Sequence, residues 1–98
     1  MTAGDVVNSV NAVAAGADFD YVPAVGVELA ITTVGAGNAD QDVYLYDGVN
    51  RAMFLRWATV TANRGSIVKL FINNSIYIRF NNGSALTQVI GFSSIQIK

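Results

Sequence analysis

Apolar and polar residues alternate with a period of two along much of this sequence, which is the pattern of β-strands that bury one face. Residues 26–34 (GVELAITTV) and 42–46 (DVYLY) show it most clearly, and in the first of these runs Val27, Leu29 and Ile31 are predicted to face the core. Turn residues, mainly Gly, Asn and Asp, separate such runs at intervals of about eight to twelve residues. The pattern predicts about seven or eight strands and no helix, which is typical of a β-sandwich or small barrel. We therefore expect an all-β protein, a single antiparallel β-sandwich with jelly-roll-like topology.

The last third of the chain contains three strand-like runs, at residues 66–72, 75–80 and 87–98. Asn73-Asn74 separates the first two runs, and Asn81-Asn82-Gly83-Ser84 separates the last two. Because Asn and Gly tolerate the positive φ angles of tight hairpin turns, this spacing predicts a three-stranded antiparallel meander. The period of two predicts which residues of these strands face the core, namely Val68, Leu70, Ile72, Ile76, Ile78, Phe80, Ile95 and Ile97.

The middle of the chain predicts a β-hairpin, because Asp47-Gly48 lies between the strand at 42–46 and an apolar run at 52–61. The same alternation assigns the side chains of both strands to two faces. The predicted inner face contains Val43, Leu45, Met53, Leu55 and Trp57, and the predicted outer face contains Tyr44, Tyr46, Phe54 and Arg56.

Residues 1–18 are small and polar, with valines among Asn, Ala, Ser and Gly. The spacing of Val6, Val10 and Val13 would also suit one face of a helix. Valine and asparagine are indifferent helix formers, so we interpret the segment as an extended N-terminal arm that leads into an edge strand near residues 9–15. The β-sandwich domain is then expected to comprise residues 19–98.

The composition indicates a protein that assembles. In a chain of 98 residues, hydrophobic residues make up 52% and charged residues 13%, which is more apolar surface than one small β domain is expected to bury. Burial of the surplus between subunits predicts a homo-oligomer. A net charge of −1 argues against general nucleic-acid binding. All seven acidic residues lie in residues 1–50 and all six basic residues follow them, which is compatible either with interleaved strands or with oppositely charged ends.

The residue types present restrict the chemistry. The chain contains no cysteine and no histidine, which removes thiolate nucleophiles, imidazole bases and the usual zinc ligands. The first residues carry no signal-peptide pattern, and no apolar run approaches the length of a membrane span, so we expect a soluble protein made in the cytoplasm without membrane contact.

Two groups of acidic residues are candidate sites. Asn38, Asp40 and Asp42 alternate as in a calcium loop, but Val43 and Val49 occupy the positions that an EF-hand gives to Gly and Glu. A looser calcium site of Asp40, Asp42 and Asp47 is the alternative to a solvated loop. Asp18 and Asp20 share one strand face without an evident partner carboxylate, which favours a solvated strand edge over a glycosidase pair. We therefore predict no enzyme activity and assign no catalytic, cofactor or metal residues.

Aromatic and arginine residues form the candidate interaction site. Such residues are enriched in protein interfaces because they bury a large area and keep a polar group available. Two alternatives are a plain core and a platform on which sugar rings stack, centred on Trp57. The predicted interface consists of Tyr44, Tyr46, Phe54, Arg56, Trp57, Tyr77 and Arg79.

Four stretches carry a resemblance to a known group of proteins. Pro23 with GVELAIT, then VYLYDG, LFINNSIYIRFNNGS and IGFSSIQIK resemble the small all-β accessory proteins of tailed-bacteriophage virions across residues 20–98. These include capsid decoration or cement proteins and related head-fibre and tail-adhesin modules.

The resemblance implies a non-enzymatic virion protein that is made in the host cytoplasm, forms a homotrimer and clasps the shell with its N-terminal arm. The implied partners are other copies of the chain and the major capsid protein or another virion protein. The alternative within the same group is a carbohydrate- or receptor-binding module of a phage fibre or tail.

Overall fold

The computed structural model describes residues 2–37, 41–57 and 64–98, without the side chains of Trp57 and Arg64. The residues so described form eight strands and no helix, which confirms the all-β prediction. Accordingly, no helix in this part of the chain is long and apolar enough to cross a membrane. The strands are β1 (Val6–Val13), β2 (Asp18–Tyr21), β3 (Leu29–Ala36), β4 (Gln41–Tyr46), β5 (Arg51–Trp57), β6 (Arg64–Ile72), β7 (Tyr77–Asn82) and β8 (Gln88–Gln96).

The strands form two four-stranded antiparallel sheets. The first sheet has the order β1-β8-β3-β6 and the second has the order β2-β7-β4-β5. Among these eight strands, only β4 and β5 are both adjacent in sequence and paired with each other. The predicted hairpin at Asp47-Gly48 is therefore confirmed. Its turn is closed by the Asp47 carboxylate, which accepts hydrogen bonds from the backbone N–H groups of Val49 and Asn50 at 2.9 and 2.6 Å.

The predicted meander in the last third of the chain is wrong. β6 and β8 lie in the first sheet, whereas β7 lies in the second, between β2 and β4. The Asn residues do mark turns: the Asn73 side chain accepts from the N–H groups of Ser75 and Ile76 at 2.8 Å. This turn carries the chain across to the opposite sheet, and Ile76, predicted to face the core, lies exposed in it. A turn signal shows where a strand ends, but it does not specify which sheet the next strand joins.

One hydrophobic core lies between the two sheets and draws on both of them. Its fully buried members alternate along their strands as predicted, with Leu29 and Ile31 in β3 and Ile78 and Phe80 in β7. An edge-on contact between Tyr21 of the second sheet and Phe92 of the first, at 4.9 Å between ring centroids, joins the sheets near β2. The buried cluster comprises Val7, Val13, Leu29, Ile31, Val34, Ala36, Val43, Ile72, Ile78, Phe80, Ile90 and Phe92.

A β-bulge changes the predicted faces of β5. Val43 pairs with Leu55 and the next residue, Tyr44, pairs with Met53, so that Phe54 is the extra residue between them. Phe54 packs against the core, while Met53 is exposed. The prediction that Phe54 faces outward and Met53 inward is therefore wrong, because strict alternation does not continue through a bulge.

The residues of β8 that face the core are also the opposite alternate set from the one predicted. Ile95 is 44% exposed, and Ile97 beyond the strand is exposed as well, whereas Ser94 is 1% exposed. Ile90 and Phe92 fix the phase, because β8 pairs with β1 without a bulge from Gln88 to Ile95. The buried Ser94 hydroxyl is satisfied by donating to the Val7 carbonyl at 2.6 Å. The expectation that the final strand is an integral member of a sheet is confirmed.

The N-terminal segment contributes an edge strand, but earlier than expected. β1 starts at Val6 rather than near Ser9, and it pairs with β8 along its whole length. Val7 and Val13 face the core from it. Its other side is an open edge of the first sheet. The division of the chain at residue 18 stays a prediction.

A fully buried asparagine fastens one end of the molecule. The Asn82 amide nitrogen lies within hydrogen-bond distance of the carbonyls of Val13, Ala14 and Leu86, at 2.9, 3.2 and 2.8 Å. Its carbonyl oxygen accepts from the buried Gln41 amide at 3.1 Å and from the Ser84 hydroxyl at 2.7 Å. One side chain thus connects the end of β1, the start of β4 and the loop between β7 and β8.

Candidate interaction surfaces

The outer face of the second sheet carries charged and aromatic side chains and is here named the aromatic–arginine face. Cross-strand pairing places Asp20 of β2 and Tyr44 of β4 on either side of Arg79 in β7. Two residues along the strands, Asp18 and Asp42 flank Asn81 in the same way. The face consists of Asp18, Asp20, Asp42, Tyr44, Tyr46, Arg51, Arg56, Tyr77, Arg79 and Asn81.

Arg79 lies at the centre of this face. Its Nε and Nη2 atoms donate to the two carboxylate oxygens of Asp20 at 2.6 and 2.8 Å, and Nη1 lies 3.3 Å from Asp18. The hydrogen bonds that Arg79 donates to Asp20, together with the negative charges of Asp20 and Asp18, raise the pKa of Arg79 above its ordinary value. The guanidinium also lies 3.8 Å from the centroid of the Tyr46 ring. Arg79 is therefore held in one geometry by contacts with three side chains on the two strands that flank β7.

Asp42 organises the other half of the face. It accepts from Arg56 Nε at 3.0 Å and from the Tyr44 hydroxyl at 3.1 Å. Arg51 lies over the Tyr44 ring, 4.7 Å from its centroid. Burial raises the pKa of Tyr44, and the hydrogen bond to the Asp42 carboxylate raises it further. The phenol is therefore kept protonated as a donor within the network.

The structure brings five of the seven predicted interface residues together and leaves their role a prediction. Tyr46 and Tyr77 meet edge to face at 5.7 Å, beside Tyr44, Arg56 and Arg79. Phe54 packs in the core instead, and the side chain of Trp57 lies outside the described residues. Sequence reasoning did not include the acidic partners Asp18, Asp20 and Asp42 in this site. The signal was present, because β2 and β4 carry acidic residues whereas β5 and β7 carry arginines.

The described acidic residues that were candidates for a glycosidase pair or a calcium site make ion pairs or hydrogen bonds within the protein. Asp18 and Asp20 share Arg79 between them, and Asp42 is paired with Arg56. Asp47 caps the β4–β5 turn, where the N–H groups of Asn50 and Val49 hold the pKa of its carboxyl below the ordinary value. Asp40, from the alternative calcium site, lies outside the described residues. Within the described ranges, no group of three or more His, Cys, Asp and Glu side chains is arranged to hold a metal ion.

The outer face of the first sheet is apolar, in contrast to the aromatic–arginine face. Among the side chains that the structure describes in this sheet, Lys69 is the only charged one that faces outward. Ile67 is 90% exposed and Phe71 is exposed on the same face of β6, with Lys69 between them. We name this surface the apolar face, and its large side chains are Val6, Val10, Ile67, Phe71, Val89 and Ile95. Sequence reasoning missed it, although apolar residues in the outward phase of β1 and β6 were a visible signal.

Two rows of residues run across the apolar face at right angles to its strands. Strand pairing aligns Val6, Ile95, Ala30 and Phe71 in one row, here named the apolar row. It aligns Val10 with three glycines of β8, β3 and β6 in another, the glycine row, which consists of Val10, Gly91, Gly35 and Gly65. Between the two rows lie Ser93 and Thr33.

A shallow groove of about 460 Å³ lies over the glycine row. Val10 and Val89 contribute to its apolar wall, and Gly35 and Gly91 contribute its floor. A stripe without side chains allows a second backbone or a large side chain to approach the sheet closely.

Comparison with models of known protein families finds none that matches this chain. A comparison with curated proteins finds no match either.

Proposed function

We propose that this chain is a non-enzymatic virion structural protein, an oligomeric decoration or cement protein that stabilises a capsid shell. The strand orders 1-8-3-6 and 2-7-4-5, with all pairs antiparallel, support a β-sandwich of jelly-roll type. Jelly rolls occur in viral capsid domains, in lectins and in cupins. A fold of this kind hosts many functions, so the surface has to carry the functional argument.

The observation that carries the proposal is the apolar face. The outward positions of a β-sandwich are ordinarily polar because they meet water. The aromatic–arginine face follows this rule and satisfies its charges internally. The apolar face breaks it on one sheet with Ile67, Phe71 and Val10 exposed together. A protein built to assemble would bury such a face against a partner.

The N-terminal arm of residues 1–18 and the aromatic–arginine face would supply the contacts with the shell. β1 is an edge strand with one side open, so its backbone N–H and C=O groups are placed to pair with a strand of a neighbour. A protein that binds only the assembled lattice stabilises that lattice by mass action. The partners in this proposal are further copies of the chain and the major capsid protein or another virion protein.

Copy counting in purified virions tests the proposal. Quantitative mass spectrometry should detect the chain at hundreds of copies per particle if it decorates the shell. A few copies per particle would instead assign it to a tail or fibre. Absence from particles of a phage that encodes it would refute a virion role.

The carbohydrate-binding alternative has less support. A sugar platform needs exposed aromatic ring faces, and here a guanidinium lies over one face of Tyr44 and one face of Tyr46. Polysaccharide titration followed by tyrosine and tryptophan fluorescence distinguishes a carbohydrate-binding module from a decoration protein. A saturable spectral change that is lost in Tyr77→Ala would favour the carbohydrate reading.

A further inference from the structure

We propose that the apolar face is the docking site for a second copy of this chain, and that the two copies pair through it face to face about a two-fold axis. The inference rests on the proposal that the chain is an assembly protein, and it names the partner that covers this face. Two observations support a second copy as the occupant: the charge on the face and its self-complementary shape.

The charge distribution favours pairing of like with like. Two copies of a strongly charged face would repel each other when they met. Among the described side chains of this sheet Lys69 is the only outward-facing charge, and it lies on the edge strand β6. The long Lys69 side chain can keep its ammonium group in water at that edge, so a second apolar face can cover the sheet without burying an unpaired charge.

The shape of the apolar face is complementary to the same face of a second copy. The apolar row and the glycine row lie on the same four strands, on either side of the row that contains Ser93 and Thr33. A two-fold axis parallel to the rows, passing over that middle row, would set the apolar row of each copy on the glycine row of the other. Ile95 would then lie over the partner's Gly91, and Val6 would lie over the partner's Val10. Such an isologous contact is closed after two subunits.

The size of the face is sufficient for a specific contact. Four strands about 4.8 Å apart, each about eight residues long at about 3.3 Å per residue, cover roughly 500 Å² in projection. Two copies would together bury about 1,000 Å², which is near the lower limit for a specific interface. We therefore expect a dimer that dissociates at micromolar concentrations, in place of the trimer expected from the resemblance.

Two substitutions test the contact by different means. Ile67→Asp places a charge in the row between the apolar row and the glycine row, at a residue that is 90% exposed in the single subunit. Gly65→Val fills the glycine row, and a Cβ at this position would meet only ordinary van der Waals contact, 3.6 Å from the Val34 carbonyl oxygen. Both changes are compatible with the folded subunit. Val25→Asp is the matched control, because Val25 is 84% exposed but lies off the face, between β2 and β3.

Sedimentation equilibrium of the purified full chain from about 1 to about 100 µM measures the association. We expect a monomer–dimer equilibrium whose dissociation constant rises at least tenfold in Ile67→Asp and in Gly65→Val and stays unchanged in Val25→Asp. Circular dichroism confirms that each variant is folded. A wild-type chain that is monomeric throughout, a trimer, or a dimer that both substitutions leave intact would overturn the inference. Because no virions are present in this experiment, such a result would leave the virion role to be decided by copy counting.

Discussion

Replacement of the buried Asn82 by alanine should destabilise this protein more than any surface change near it. The side chain connects three separate segments at one end of the two sheets, and it is fully buried. Asn82→Ala leaves the backbone of the residue in place, so its backbone hydrogen bonds with Gly16 and Ala17 should remain. The variant therefore reports mainly on the side-chain amide.

The expected loss of stability in Asn82→Ala depends on which hydrogen-bond partners of Asn82 water can reach. Ala14, Leu86 and Ser84 are exposed or half-buried, so water can replace part of their lost bonds. The Gln41 side chain and the Val13 carbonyl are buried, and an unsatisfied buried group costs about 1–3 kcal/mol. With the small cavity, we expect a loss of about 3–5 kcal/mol. A domain of this size has about 5–15 kcal/mol in total, so the variant should be near the limit of folding.

Urea unfolding followed by circular dichroism measures the loss, and thermal unfolding should show a midpoint lower by roughly 12–40 °C. Asn81→Ala is the matched control. The neighbouring Asn81 lies on the aromatic–arginine face and donates one side-chain hydrogen bond, to Asp18 at 2.7 Å, so its loss should be about 0.5–1.5 kcal/mol. All variants are compared at one protein concentration, because association adds to apparent stability. Equal losses in the two variants would refute the role assigned to Asn82.

Three further changes have expected outcomes. The folded-state pKa of Asp47 lies below its unfolded value, so its contribution to stability is present above about pH 4 and is lost as the pH falls through the folded pKa. In urea unfolding, the difference between wild type and Asp47→Ala should therefore shrink at acid pH, and a constant difference would contradict this cause. A Cβ at Gly91 would lie 2.6 Å from the Ser9 carbonyl oxygen, so Gly91→Ala should lower stability by about 1–3 kcal/mol, whereas Gly65→Ala should not. Arg79→Lys loses the bidentate bond to its carboxylate partner and should cost about 0.5–1.5 kcal/mol, which a double-mutant cycle with Asp20→Asn would assign to that pair.

The sequence predicts the strands themselves better than their partners. Alternation correctly identified Leu29, Ile31, Ile78 and Phe80 as core residues, because each strand obeys a local period of two. It could not determine sheet membership, since β6, β7 and β8 are separated by turns that look alike in hairpins and in crossings between sheets. Long-range pairing, such as that of Val6 with Ile95, leaves no local signal in the chain.

The errors in predicting which side chains face the core have two separate physical causes. The bulge at Phe54 inserts a residue without a Gly or Pro to mark it, so nothing in the sequence indicates that the alternation changes phase there. In β8 both phases contain isoleucine, and the choice between Ile90 and Ile95 depends on the neighbouring strands. The apolar face was missed for a related reason: an outward valine or isoleucine looks like any other β-former until the sheet arrangement is known.

The position of β8 also has a consequence for biosynthesis. β8 follows the seven other strands in the chain, yet it lies between β1 and β3 in the first sheet. While the ribosome is still making β8, β1 has no neighbour within its sheet and β3 keeps one open edge. The first sheet can therefore close only after translation has passed residue 96, and pairing across so much of the sequence is intrinsically slow. In a cell that makes many copies at once, nascent chains would expose the same open edges side by side, so rapid closure of the first sheet would protect them from aggregation.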